Sequence, residues 1–257
     1  MIDLRWIICS RKPGHFADER LKSMFSFVFG KTYGYYVFSE IENQRKILLE
    51  THTEIEVIDK GAGSRVFKGN KRSIQRIARY CLTEQEDAQI LFRLGAWAGS
   101  NHILELGTSL GVTTAYLATT PCNLELISID ACSNTIKEAK KLLSELSVEN
   151  VTLLNSDFSL AIENLIKENR KFDFIYFDGD HNGLRMRNYY EGVRLNLVGK
   201  RYVMVFDDIS WSRDMNTFWK YIARNSDSCI ISTGTTGYVI HGFDLPCGYF
   251  MLKLSKT

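Results

Sequence analysis

The stretch "ILELGTSLGVTTAYLA", residues 103–118, decides how this chain is read. It begins as an apolar, strand-like run, breaks at Gly107 and Gly111, and resumes at helical spacing in "VTTAYLA". In a doubly wound sheet a cofactor loop follows the first strand, opens a helix, and precedes a second strand whose end carries an acid for ribose hydroxyls. All three conditions are met, because strand "HILEL" leads into Gly107 and strand "LELISID" ends in Asp130, 23 positions beyond it. A second glycine stretch, "EVIDKGAGSR" at residues 56–65, makes the same offer and fails it. Gly63 leads into the basic "SRVFKGNKRSIQRIARY", with no second strand and no ribose acid, so the stretch reads either as a surface turn or as a lid over the cofactor.

Outward from residue 103 the texture differs on the two sides. Residues 1–98 carry helical spacing in "ADERLKSMFSFVFG", "SEIENQRKILLETH", "KRSIQRIARYCL" and "TEQEDAQILFRLGAWAG", and read as a helical N-terminal extension. Residues 99–257 alternate apolar runs at 102–106, 125–130, 151–155, 173–178 and 201–207 with helical segments at 111–119, 134–147, 159–168, 184–197 and 212–224. Right-handed crossovers turn such repeats into a parallel sheet. The tail "CIISTGTTGYVIHGFDLPCGYFMLKL" has glycine turns and no helix, and should close the sheet with an antiparallel hairpin. The expectation is an α/β, doubly wound, mostly parallel seven-stranded sheet, Rossmann-like, with that hairpin and the extension.

Composition limits the function. A chain of 257 residues, 45% hydrophobic, can bury one large α/β core, and a formal charge of +2 gives no reason to expect a polyanionic partner such as nucleic acid. The six cysteines form no CxxC pair, and we read them as reduced thiols of a cytoplasmic protein. No apolar run approaches the roughly 18 residues of a membrane span, and "MIDLRWIICSRKPGH" lacks the long apolar core of a signal peptide. Pro121-Cys122 and Pro246-Cys247 resemble the nucleophile of cytosine-carbon methyltransferases, but neither follows the fourth strand, where that dipeptide belongs.

The loop also speaks about its ligand. A dinucleotide asks for GxGxxG, whereas here Glu105 precedes E-L-G-x-x-x-G, and a carboxylate beside the loop repels a pyrophosphate while suiting an amino group. S-adenosylmethionine has an ammonium, a sulfonium and no phosphate. The segments "LELGTSLG", "SIDA", "NSDF", "FDGDHN" and "FDDISWS", in this order across roughly residues 100–255, resemble class I S-adenosylmethionine-dependent methyltransferases. Within that superfamily they look most like the group around catechol and caffeoyl-CoA O-methyltransferases and bacterial relatives of unassigned substrate.

The resemblance and the chemistry together assign roles. Gly107 and Gly111 would let the backbone approach the methionine moiety, Ser109 and Thr113 would bond its carboxylate with the free amides of the helix start, and Glu105 would sit near its ammonium. Asp130 would take both ribose hydroxyls, Asp157 the adenine amino group, and Phe158 would cover the ring; helix capping is the competing use of both acids. Asp178 and His181 would stand at the reacting centre, His181 as the base that deprotonates the acceptor hydroxyl where those relatives keep a lysine. In the catechol-type relatives a magnesium or calcium ion bridges positions matching Asp178, Asp207 and Asp208, although Asp208 replaces an asparagine; capping and strand-end hydrogen bonds are the alternative. Trp211 would wall an aromatic acceptor or simply pack. The expected activity is O-methylation of a small-molecule hydroxyl, with the aromatic-rich extension supplying the acceptor pocket and a contact between two copies. The competing readings are a nucleoside-binding protein that performs no transfer and a nicotinamide-dependent oxidoreductase.

Overall fold

The helical spacing of the first third becomes α1 (Glu19–Phe29), α2 (Tyr36–Glu50), α3 (Ile74–Tyr80) and α4 (Gln85–Ala98) in a computed structural model that describes residues 10–30, 34–58, 67 and 69–254. Asp18 starts α1 by accepting from the amides of Arg20 at 2.9 Å and Leu21 at 3.1 Å, and Gly99, left-handed at φ 65°, stops α4. Between α2 and α3 lies an antiparallel pair, β1 (Glu54–Glu56) and β2 (Lys71–Ser73), each too short to show a period in sequence. It brackets the rejected glycine stretch, whose residues 59–66 lie outside the described ones.

The core repeats then run β3 (His102–Leu106), α5 (Val112–Ala118), β4 (Glu125–Asp130), α6 (Ser133–Glu145), β5 (Val151–Asn155), α7 (Phe158–Lys167), β6 (Phe172–Phe177), α8 (Gly183–Asn196), β7 (Val198–Phe206) and α9 (Arg213–Asn225). They are followed by β8 (Cys229–Ser232), β9 (Gly237–His241) and β10 (Gly248–Met251). The sheet has eight strands in the order β10-β8-β9-β7-β6-β3-β4-β5, one more than the seven expected. The run β7-β6-β3-β4-β5 is parallel throughout, β9 is antiparallel to both β7 and β8, and the added edge strand β10 pairs parallel with β8. Arg11 forms a parallel bridge to Leu252 just beyond it.

Strands with apolar residues on both faces need cover on both. One face packs Leu104, Ile127, Ile175 and Met204 under α7, α8 and α9. The opposite face packs Ile103, Leu126, Phe174 and Val203 under α1, α4 and the end of α5, so part of the extension is one wall of the core. A third cluster ties α2 and α3 to α4, α5 and α6 through Ile41, Ile77, Phe92, Tyr116 and Leu142. This arrangement leaves the carboxyl ends of β3 to β7 open on one rim, with α3 and the start of α4 beside them.

Phe174 is fully buried between the sheet and the α1–α4 layer. Phe174→Ala should lower unfolding free energy by about 3–5 kcal/mol, read by chemical denaturation.

Candidate active site

The order of the strands creates the site. From β3 the chain winds outward to β4 and β5, then returns to the other side of β3 with β6 and β7, so the loops after β3 and β6 part over a crevice. At its floor Gly107 adopts φ 119°, and a β-carbon there would lie 2.2 Å from the Asp178 carbonyl oxygen. Only glycine allows the two loops to pass this closely. Gly111, at φ 84°, has its missing side chain against Ala139 of α6 and starts α5.

Asp130, at the tip of β4, holds this loop. Its Oδ2 accepts from the Ser109 amide at 2.9 Å and its Oδ1 from the Cys132 amide at 2.8 Å. The Thr135 hydroxyl also donates to Oδ1, at 3.4 Å, and the carboxylate lines the cleft. Asp157 does cap α7, accepting from the Ser159 amide at 3.0 Å, and it also lines the cleft. Phe158 packs edge-on against Tyr189, with Gly179 close beneath its ring.

The cleft encloses about 590 Å³, and Gly107, Ser109, Asp130, Asp157, Phe158, Asp178, His181, Asp207 and Asp208 all line it. Trp211 lines it as well, so ten of the residues singled out in sequence are brought together. Glu105, Gly111 and Thr113 stand behind the loop, outside that lining. Glu105 is completely buried and accepts from Thr114 Oγ1 at 2.5 Å and Ser128 Oγ at 2.6 Å through one oxygen, while its Oε1 has no hydrogen-bond partner. Burial pushes its pKa up to about 7 against the two hydrogen bonds. Thr113 donates to Thr83 Oγ1 at 3.0 Å.

Thr83, between α3 and α4, went unseen in sequence. Its hydroxyl lies 3.3 Å from Asp178 Oδ2 and 3.4 Å from the Tyr176 hydroxyl, so the extension reaches the strand-end acid Asp178 directly. No spacing rule marks a lone threonine at a helix start; only its place on the folded rim does. Asp180, left-handed at φ 56°, is locked by an ion pair with Arg185 and by the Tyr189 hydroxyl at 2.9 Å.

The acids of β6 and β7 press on one another. Burial, then Asp207 and Asp208, raise the Asp178 pKa well above the usual carboxylate range, and burial with Asp208 raises Asp207 to about 7. His181 Nε2 lies 3.7 Å from Asp208 Oδ2, too long for a hydrogen bond, and its ring leans on Trp211 at 5.3 Å between centroids. Asp178 turns to Thr83 and Asp207 accepts from Thr236 at 3.2 Å, and no group of three metal-ligating side chains gathers among the described residues. The acid-rich donor set is of the kind that suits a hard cation.

Residues 104–209 match the family described as a methyltransferase domain. In its fold the chain is a class I methyltransferase-like α/β protein, and residues 104–209 are the part that matches the methyltransferase domain. No curated protein matches the chain. Among solved structures, the fold is shared with a Podospora anserina methyltransferase bound to SAH, at 12% identity and TM-score 0.59 over 89% of this chain and 97% of that one. A putative caffeoyl-CoA O-methyltransferase from Staphylococcus aureus gives 13% identity and TM-score 0.58, over 80% and 98%. An O-methyltransferase from Bacillus cereus in complex with SAH gives 16% and 0.56, over 85% and 94%. The methyltransferase fold therefore holds as the sequence implied. Among the described residues no helix is long and apolar enough to cross a membrane.

Glu105 predicts a pH dependence of stability. Because folding raises its pKa from 4.5 to about 7, its contribution is fully present below about pH 4.5 and is lost as pH rises through about 7. Glu105→Gln should remove that loss, so the gap between variant and wild-type unfolding free energies should shift in the variant's favour by about 3 kcal/mol from pH 4.5 to 8.

Proposed function

We propose that the protein transfers the methyl group of S-adenosylmethionine to a hydroxyl of a small molecule. The observation that carries this reading is the two-sided cleft: a bare-backbone loop and Asp130 on one side of the crevice, and His181 with Asp178 on the other. The loop and strand-end acid suit an adenosyl amino acid, and Asp157 and Phe158 line the same cleft, where they would meet the adenine.

When bound, S-adenosylmethionine would supply a methyl group on a cationic sulfur. What the chain must add is alignment and a nucleophile, because the transfer is an in-line displacement. His181 takes the hydroxyl proton on a ring nitrogen as the oxygen–carbon bond forms and the carbon–sulfur bond breaks, leaving a methyl ether, S-adenosylhomocysteine and an imidazolium. Asp208, at 3.7 Å, stabilises that imidazolium. Thr83 and Tyr176 fix Asp178 beneath the transfer. Trp211, leaning on His181, offers one wall of the acceptor side.

Asp130→Ala should weaken S-adenosylhomocysteine binding at least tenfold by calorimetry, since it removes the ribose acceptor and the tether of Ser109 together. His181→Asn should leave that affinity within about twofold and lower kcat by roughly 10²–10⁴. The reading fails if neither S-adenosylmethionine nor S-adenosylhomocysteine binds the wild-type protein, or if no S-adenosylhomocysteine accumulates with a broad panel of phenols and aliphatic alcohols.

A further inference from the structure

A second cavity lies behind the wall of the cleft that carries Asp207 and Asp208. It is a groove of about 200 Å³ between α9 and the outer strands β8 and β10. Ala223 and Arg224 of α9 form one wall, Tyr249 and Met251 of β10 the other, and Trp219 lies at the base. The Trp219 ring is buried against Gly237, where a β-carbon would come within 2.5 Å of it, so the base is fixed by packing. Tyr249 stands beside Ile230 in the sheet and keeps 42% of its surface exposed.

The groove and the cleft share a wall. Ile209 and Gly234 line the groove, while their chain neighbours Asp208 and Thr235 line the cleft. The Ile209 amide donates to the Thr235 carbonyl at 2.8 Å, and the Thr236 hydroxyl donates to Asp207 Oδ1 at 3.2 Å. Whatever fills the groove therefore bears on the turn that holds Asp207.

The chemistry of the lining is one-sided. No acid stands among the described residues that form it, in contrast with the cleft. Arg224, exposed in the last turn of α9, brings a guanidinium, which only donates. The Tyr249 hydroxyl accepts from Trp219 Nε1 at 3.1 Å and still has its own proton to give. Lys220 lines the groove too, but it is already engaged within the chain and is not counted here. Two donors beside aromatic rings select a flat ligand that carries an acceptor and a negative charge. A cavity of about 150 Å³ holds a benzene molecule, so this one takes a single ring with a carboxylate attached.

We infer that this groove is a second ligand site, taking a small aryl carboxylate whose charge meets Arg224 and Tyr249 and whose ring lies against the aromatic base, and that its occupant acts on the cleft through the turn at residues 233–236. The site stands whether or not the cleft transfers methyl groups.

Benzoate, benzamide and benzylammonium share one ring, differ in charge, and test this. Each is titrated onto the wild-type protein by calorimetry and ligand-detected NMR. Benzoate should saturate in the millimolar range, with benzamide on the order of tenfold weaker and benzylammonium weaker still. Arg224→Gln should weaken benzoate about tenfold and leave benzamide within about twofold, and Tyr249→Phe should weaken benzoate severalfold. Bound benzoate should slow hydrogen exchange in peptides spanning residues 203–209 and 233–238 of the wild-type protein. The inference is overturned if benzoate does not saturate, if it binds no better than benzamide, or if both substitutions leave its affinity unchanged. Exchange that slows only in α9 and β10 overturns the action on the cleft. Self-association that Ala223→Arg disperses overturns the site itself, because a second copy then covers the groove. S-adenosylhomocysteine is absent from these titrations, so their failure leaves the methyl-transfer reading untouched, and failure of that compound to bind leaves the groove untouched.

Discussion

The near-contact of Gly107 with the carbonyl of Asp178 is the constraint on which the site depends. It joins the ends of two neighbouring parallel strands at the point where the chain changes direction across the sheet. The loop cannot be placed closer, and any side chain at Gly107 would force it away. The Asp130 carboxylate fixes the other edge of the loop through two backbone amides. Backbone geometry on one side and a single acid on the other thus fix the shape of the loop before any ligand arrives, which keeps the ordering cost of binding at such a loop low.

The same closeness has an electrostatic cost. Asp178, Asp207 and Asp208 share a partly desolvated rim, Asp87 adds to it, and Glu105 lies buried beneath. Two of these acids, Glu105 and Asp207, are brought to a pKa of about 7, where carboxyl groups can hold or release protons at ordinary pH. Such groups are expensive for folding and persist where function repays them. The buried hydroxyls of Thr108, Thr114 and Ser128 surround Glu105 and soften its burial without removing it.

Much of the fold was legible because its repeats are long and periodic. The runs ending at Leu106, Asp130, Asn155 and Phe177 emerge as strands within a residue of their expected bounds. The eighth strand was hidden, since "GYFM" follows a turn-rich segment and pairs with Cys229–Ser232 across an intervening strand. Among site residues, acids at strand ends could be read from position alone. Thr83, Glu84 and Asp87 could not, because their nearness to Asp178 and Asp207 arises from how the extension folds back on the rim. Glu105 was read correctly as the acid before the loop, but its side chain points to α5, on the face opposite to Leu104 and Leu106. Strand alternation determines which face a residue takes, and not what covers that face.

The bridge between Arg11 and Leu252 brings the two outer portions of the chain to one sheet margin. Arg11 donates its amide to Met251 and accepts from Lys253, so the early segment lies along β10 as a short additional rung. An uncovered border strand is a template for stacking with another molecule, and here that border is shielded by the chain itself. With residues 11 and 252 adjacent, a short linker between those two positions could carry the chain across while new ends are opened at a surface turn elsewhere, a rearrangement known as circular permutation.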